Sequence, residues 1–266
     1  MVTPPYTPGI DAAGEVESVG DGVQNFQIGD RVYTAGLTQN TYAERVLVKE
    51  NQLRRLPENL SFAQGAAINV AYASAYRALF QRAKIQPGES VLIHGASGGV
   101  GLAALQLARS GSFTIFATAG TEEGLQMLRE QGAHHVFNHR EQNYLEKIAN
   151  ATGNGIDVIL EMLANVNLNH DLELLAPRGR VVIVGSRGEV TIDPRHTMAK
   201  ESAILGMRLF NTPSEDFVEI FDALDKGLNG GSLNPLVGRE FPMSEAARAH
   251  EAVMEPGARG KIVLIP

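Results

Sequence analysis

The segment Val91-Leu92-Ile93-His94-Gly95-Ala96-Ser97-Gly98-Gly99-Val100-Gly101 constrains this chain more than any other. A short apolar run passes into an Ala-rich helix, Val100–Ser110, through a turn with glycines at 95, 98, 99 and 101. Bare backbone at Gly98 and Gly99 lets a pyrophosphate approach, and Gly101 lets the helix lie close on the strand. The free N–H groups of a helix start favour such an anion. A glycine-rich hexamer alone is weak, and a plain tight turn is the competing reading. Its weight comes from context, because it joins a buried strand to a helix and opens a strand–helix–strand unit.

Strands and helices go on alternating after it. Strand Phe113–Thr118 is followed by helix Glu122–Gln131, strand His135–Asn138 and helix Tyr144–Ala151. Then come strand Asp157–Glu161, helix Asn169–Leu175, strand Arg180–Val184 and a last strand, Ala203–Phe210. Continuous apolar strands between helices predict a parallel sheet covered on both faces. A long Ala-rich helix, Phe62–Gln81, precedes this region. Residues 1–64 are instead rich in turns, with strands at Ala13–Val19, Arg31–Thr34 and Tyr42–Val48. The tail alternates helix Ser214–Lys226, strand Leu236–Phe241, helix Ser244–Met254 and strand Lys261–Ile265. The expected class is α/β: a Rossmann doubly wound parallel sheet over residues 65–210, and a mostly antiparallel β domain over 1–64, completed by 211–266.

Composition narrows the function. The 266 residues contain no Cys, which excludes disulfides, thiolate metal sites and a Cys nucleophile. Thirty acidic against 23 basic residues, a net charge of -7, give no broad electrostatic footprint for nucleic acid. The N-terminus lacks signal-peptide character and no apolar stretch reaches membrane-span length, so a cytoplasmic protein is expected.

An NAD site normally carries an acidic residue at the tip of the second strand, to bond the ribose hydroxyls. Here that tip reads Ala119-Gly120-Thr121, and Glu122 and Glu123 read as helix-start residues. The missing carboxylate favours NADP. His139, Arg140 and Arg187 are the candidate phosphate ligands, each equally readable as a solvated surface charge. Val184-Gly185-Ser186-Arg187-Gly188 ends an apolar strand, so it lies at the edge where open α/β sheets bind ligands. His134-His135 reads as alternating surface and core positions rather than a ligand pair.

Several strings carry a family resemblance. Pro8-Gly9-Ile10-Asp11-Ala12-Ala13-Gly14, Val19-Gly20 and Gly29-Asp30-Arg31-Val32 resemble the medium-chain dehydrogenase/reductase superfamily. His94–Gly101, Thr118–Gly124, Phe137–Arg140, Glu161–Leu168, Val184–Gly188 and Pro194–Ser202 resemble its zinc-free quinone oxidoreductase branch, the zeta-crystallins. The resemblance implies a GroES-like substrate domain and an NADPH cofactor. It implies that Ser97, Gly98, Gly99 and Val100 hold the pyrophosphate, and that Gly120 and His139 surround the adenosine ribose and its 2'-phosphate. Asn167 would lie along the cleft. Val184, Gly185, Ser186 and Arg187 would line the nicotinamide side, with Met207, Arg208 and Leu209 closing the pocket. Ser74 stands where relatives carry Thr, and its hydroxyl would face the nicotinamide. It reads equally as a small helix-packing residue.

Zinc-dependent relatives have Gly-His-Glu where this chain has Gly9-Ile10-Asp11, so no zinc site is expected. Family members also carry further residues ahead of this start, including an Asn and a Tyr beside the substrate. The chain is therefore expected to be a fragment, a mispredicted gene start or an isoform with a reduced substrate lobe. The implied activity is NADPH-dependent reduction of a quinone, with no catalytic side chain assigned. The alternatives are an enoyl or alkenal reductase, and a non-enzymatic cofactor-binding crystallin or RNA binder. The resemblance also implies a homodimer or homotetramer.

Overall fold

The computed structural model describes residues 5–257 and 259–266. Strands β1 (Ala13–Glu15), β2 (Arg31–Thr34) and β3 (Leu53–Arg55) form an antiparallel meander. Tyr33 lies opposite Ala13 on one side and Arg54 on the other. It is 0% exposed, and its hydroxyl donates to Asp225 Oδ1 at 2.7 Å. The strand expected at Tyr42–Val48 does not form. That stretch runs as bends and irregular chain, with Leu47 fully exposed. Leu53–Arg55 takes its place beside β2, because there Arg54 reaches Asp222 at 2.9 Å and Asp225 at 3.1 Å. β1 also stops short of Val19.

The helix expected over Phe62–Gln81 is broken. Ser61 and Gln64 form a reciprocal capping box on α1 (Phe62–Gly65). The chain then re-enters helix as α2 (Asn69–Tyr76) and widens into a π-helical stretch, Arg77–Arg82. The Asn69 amide makes two bonds with the Gly36 backbone, at 2.9 and 3.0 Å, which anchors α2 separately from α1. Asp11 accepts from Val70 N at 3.0 Å and from Lys261 Nζ at 2.8 Å. This residue, which departs from the zinc-binding pattern, thus has a structural function.

The second region alternates strand and helix. β4 (Ser90–Ile93), α3 (Gly99–Arg109), β5 (Thr114–Ala119), α4 (Glu122–Glu130) and β6 (His135–Asn138) come first. α5 (Tyr144–Thr152), β7 (Ile156–Glu161), α6 (Ala164–Leu174), β8 (Leu175–Ile183), α7 (Arg195–Lys200) and β9 (Ala203–Gly206) follow. All six strands run parallel in the order β6-β5-β4-β7-β8-β9. The order reverses between β4 and β7, and in such sheets the crevice outside the carboxyl ends at that point receives ligands. Leu92, Ile156, Ile159, Leu172, Leu175 and Val181 are fully buried in the core cluster, each stabilising the fold by about 1.5–3 kcal/mol.

Several elements differ from expectation, and β8 begins at Leu175 rather than Arg180. α6 begins at Ala164 rather than Asn169, because the Glu161 side chain accepts from Leu163 N at its start. α7 has no counterpart in the sequence reading. β9 ends at Gly206, and Leu209–Asn211 curls into a 3-10 turn that buries Leu209. The tail supplies α8 (Ser214–Asn229), β10 (Val237–Pro242), α9 (Ala246–Met254) and β11 (Lys261–Ile265), with β10 and β11 paired in parallel.

The chain packs as two units. One holds the chain up to Ala73 together with Thr212–Pro266, and the other is Ser74–Asn211. Among the described residues no helix is long and apolar enough to cross a membrane.

Candidate functional site

The polar groups gather at the carboxyl edge of the six-stranded sheet. After β4 the chain passes His94 and turns through Gly95, whose φ of 57° is left-handed. Gly98 caps α3 with extended backbone, so the first N–H groups of the helix open toward the strand ends. A Cβ on Gly101 would stand 2.5 Å from Ala96 Cα, so helix and turn touch backbone to backbone. Ser97 and Ala96 are buried beneath this turn, and Gly98, Gly99 and Val100 are half-exposed.

The adjacent strand tips complete one side. His139 N donates to Ala119 O at 3.1 Å, pulling the end of β6 over the end of β5. A Cβ on Gly120 would meet His139 Nε2 at 2.7 Å and Arg140 Nε at 3.1 Å. The tip of β5 thus carries an imidazole and a guanidinium and no carboxylate. Glu122 and Glu123 lie in the first turn of α4, where Glu122 pairs with Arg129 at 3.1 Å. Partial desolvation, with His94 and Arg140 adding to it, holds the His139 pKa below its ordinary value.

The other side follows β7 and β8. Val184 N and Gly185 N both donate to Glu161 O, at 2.9 and 3.2 Å, and Ala164 N donates to Gly185 O at 3.0 Å. A Cβ on Gly185 would stand 2.6 Å from Met162 O, so only glycine fits. The Ser186 hydroxyl donates to Gly188 O at 2.9 Å, and Asn165 Oδ1 accepts from Arg187 N at 2.9 Å. Met207 N donates to Ile183 O at 3.0 Å after β9. Arg208 lies over the Phe210 ring, while Leu209 is buried. Ser74 stands apart from this edge in sequence, buried within α2 at 5% exposure.

Beneath the glycine-rich turn lies a cluster that sequence reading missed. His94 is 3% exposed, and Glu161 and Asp171 are 0% exposed. His94 Nε2 donates to Asp171 Oδ1 at 2.9 Å and stands 3.8 Å from Glu161 Oε2. Asn167 Nδ2 donates to both Glu161 oxygens at 3.2 Å. Burial alone would lower the His94 pKa, but Asp171 and Glu161 outweigh it and hold it above the ordinary value. Burial pushes Glu161 up to about 7, His94 opposing and Asp171 adding to the shift. The available signal was Asp171 on the same helical face as Ala164, Leu168 and Leu172, a charge where a core residue is due.

His134 and His135 do not pair. Ile115 N donates to His134 Nδ1 at 2.9 Å, and His135 stacks on Phe116 at 4.6 Å. In the other unit a cleft of about 480 Å³ is lined by Arg54, Arg55 and Asp225 among others, whose charges are paired within it or with Asp30 and Asp222.

A six-stranded parallel sheet in this order, carrying a glycine-rich turn after its first strand, defines a dinucleotide-binding domain of the Rossmann kind. Comparison with known proteins narrows this to the medium-chain dehydrogenase/reductase superfamily. Residues 1–76 match the alcohol dehydrogenase GroES-like domain, and residues 99–226 match the zinc-binding dehydrogenase family. The chain is 52% identical to human quinone oxidoreductase over 98% of its own length and 80% of that protein. A solved NAD-dependent alcohol dehydrogenase superposes with a TM-score of 0.91 at 27% identity, covering 100% of this chain and 84% of that one. Escherichia coli quinone oxidoreductase complexed with NADPH superposes with a TM-score of 0.85 at 29% identity, covering 99% and 83%. The chain belongs to the quinone oxidoreductase, or zeta-crystallin, family of that superfamily.

Proposed function

We propose that this chain reduces quinones with NADPH, without zinc. The observation that carries the cofactor assignment is the tip of β5. It bears no carboxylate to bond a ribose 2'-hydroxyl, and it sets His139 and Arg140 against bare Gly120. A 2'-phosphate fits that space and charge, and a second hydroxyl ligand has no partner there. The donor set after β4 fits the pyrophosphate, with Ser97, Gly98, Gly99 and Val100 at the start of α3. Quinone as the acceptor follows the curated relative's name.

NADPH, when bound, supplies the hydride. The protein's residues orient it and keep water away. Asn167 reaches the cleft from α6, and Val184, Gly185, Ser186 and Arg187 border the nicotinamide side. Met207, Arg208 and Leu209 would close the pocket beyond β9, and the Ser74 hydroxyl would face the nicotinamide. The reduced quinone oxygen takes its proton from solvent, so no side-chain acid is required and none is assigned. Zinc chemistry lacks its ligands here: Ile10 stands at the histidine position and the chain has no Cys.

The same proposal covers assembly and location. β9 lies at one edge of the sheet, and an unpaired edge favours pairing with a second copy, giving a cytoplasmic homodimer or homotetramer. The deciding assay follows NADPH oxidation with ortho-quinones beside 2-alkenals. Turnover of quinones is expected. Turnover of alkenals alone makes the chain an alkenal reductase, and a thermal shift no larger with NADPH than with NADH overturns the cofactor assignment.

A further inference from the structure

The charges beneath the glycine-rich turn are not accounted for by phosphate recognition. One imidazole, His94, faces two carboxyl groups, Glu161 and Asp171, in a site closed to water. Two carboxylates against a single imidazolium would leave a net negative charge in the core. A shared proton relieves that cost. Glu161 Oε1 already accepts from Leu163 N and Asn167 Nδ2. Asp171 Oδ2 has no donor among the described groups, and it is the acceptor within this cluster that a proton on Glu161 would satisfy.

The neighbours narrow which group titrates. Thr118 Oγ1 lies 3.5 Å from His94 Nδ1 on the β5 side. Tyr144 faces the two carboxyls from α5, and burial raises it to about 12, so it stays neutral. His139, with Arg140 beside it, faces His94 from the end of β6 and is held below the ordinary histidine range. Glu161, pushed up to about 7, changes charge around neutrality, and His94, held above its ordinary range by the two carboxyls, shares that titration.

We propose that Glu161, protonated onto Asp171, is a positioning residue for dinucleotide binding. Loss of that proton strengthens the bonds the Asn167 amide already makes to Glu161 and adds a negative charge under the pyrophosphate turn. This rests on the reading that the turn after β4 holds the dinucleotide. Both NADPH and NADH feel that charge equally, whereas His139 and Arg140 act on the 2'-phosphate alone.

The test is fluorescence titration of the full chain with NADPH and with NADH, from about pH 5.5 to about pH 9. Affinity for both cofactors is expected to fall together, about tenfold, as pH rises through neutrality. Glu161→Gln is expected to remove most of that fall. If that variant does not fold, infrared difference spectra of the unaltered protein stand in for it. A protonated-carboxyl carbonyl band must vanish over the same pH range. Affinity independent of pH, a fall confined to NADPH, a fall undiminished in Glu161→Gln, or no such band overturns the proposal. So does a fall that disappears on chelator treatment, which assigns the cluster to a metal. Failure of either cofactor to bind overturns the site reading together with this one, whereas pH-independent binding overturns this one alone.

Discussion

Gly120 and His139 approach so closely that a Cβ on Gly120 would lie 2.7 Å from His139 Nε2. The β5–β6 pairing, with Ala119 opposite Asn138, creates this proximity, and Arg140 Nε stands beside it at 3.1 Å. Arg140→Ala is expected to weaken NADPH binding by about 1.5–3 kcal/mol, the value of a hydrogen bond to a charged group, and to leave NADH binding unchanged. Gly120→Ala displaces both side chains and lowers the NADPH preference in the same direction. Titration of each variant with both cofactors checks this, and an equal loss for NADH places the 2'-phosphate elsewhere.

Legibility in the sequence tracked how local the physics was. The turn after β4 was readable because its glycines, flanking strand and following helix lie within one short window. Arg31–Thr34, His135–Asn138 and Lys261–Ile265 formed with the bounds their apolar patterns suggested. Tyr42–Val48 has equal strand character, yet β3 won the place beside β2 through the reach of Arg54 to Asp222 and Asp225, far along the chain. The break before Asn69 depends on Gly36, which no helical periodicity reveals. The His94–Glu161–Asp171 cluster draws on β4, β7 and α6, so only the fold assembles it. Which of His139, Arg140 and Arg187 serves the phosphate is open in sequence; His139 and Arg140 stand against Gly120, while Arg187 lies beside Asn165.

Arg180 ties β8 to the start of β4. Its Nη1 and Nη2 donate to Glu89 Oε1 and Oε2 at 2.6 and 2.7 Å, and its Nε donates to Ala83 O at 2.8 Å. Burial would raise the Glu89 pKa, but Arg180 and the Gln86 amide hold it below the ordinary range. Glu89→Gln leaves a mostly buried guanidinium poorly paired and is expected to cost about 2 kcal/mol, less than a fully buried pair. Denaturant unfolding measures it. The Glu89 contribution should also vanish as pH falls through its depressed pKa, which acid titration of the unaltered protein against Glu89→Gln resolves.

The buried cluster sets the opposite dependence at higher pH. Glu161 in the fold titrates at about 7, against roughly 4.3 for an unfolded glutamate. His94 is likewise raised. The folded state then binds more protons than the unfolded state, so stability is complete in mild acid and falls as pH rises through neutrality. The loss from about pH 5 to about pH 8 is expected to be on the order of 3 kcal/mol. Glu161→Gln should flatten that slope. Midpoints of urea unfolding across the range give the measurement, and a stability that rises toward pH 8 contradicts the shared proton.

The two units should differ in how readily they open. β1, β2 and β3 span three or four residues each, and Ile28 and Leu47 beside them are exposed. The six-stranded sheet instead rests on fully buried Leu92, Ile159 and Val181. Local opening follows the buried apolar area that must be exposed, so amides of β1 and β3 should exchange with an opening free energy a few kcal/mol below that of β4 and β7, by roughly the value of one or two buried side chains. β2 should be the slowest of its meander, because Tyr33 is buried and bonded to Asp225. Hydrogen exchange read by mass spectrometry tests this, and equal protection in both sheets rejects it. Adding NADPH should slow exchange at the start of α3 and around β4, since a ligand stabilises the folded segment it contacts by mass action.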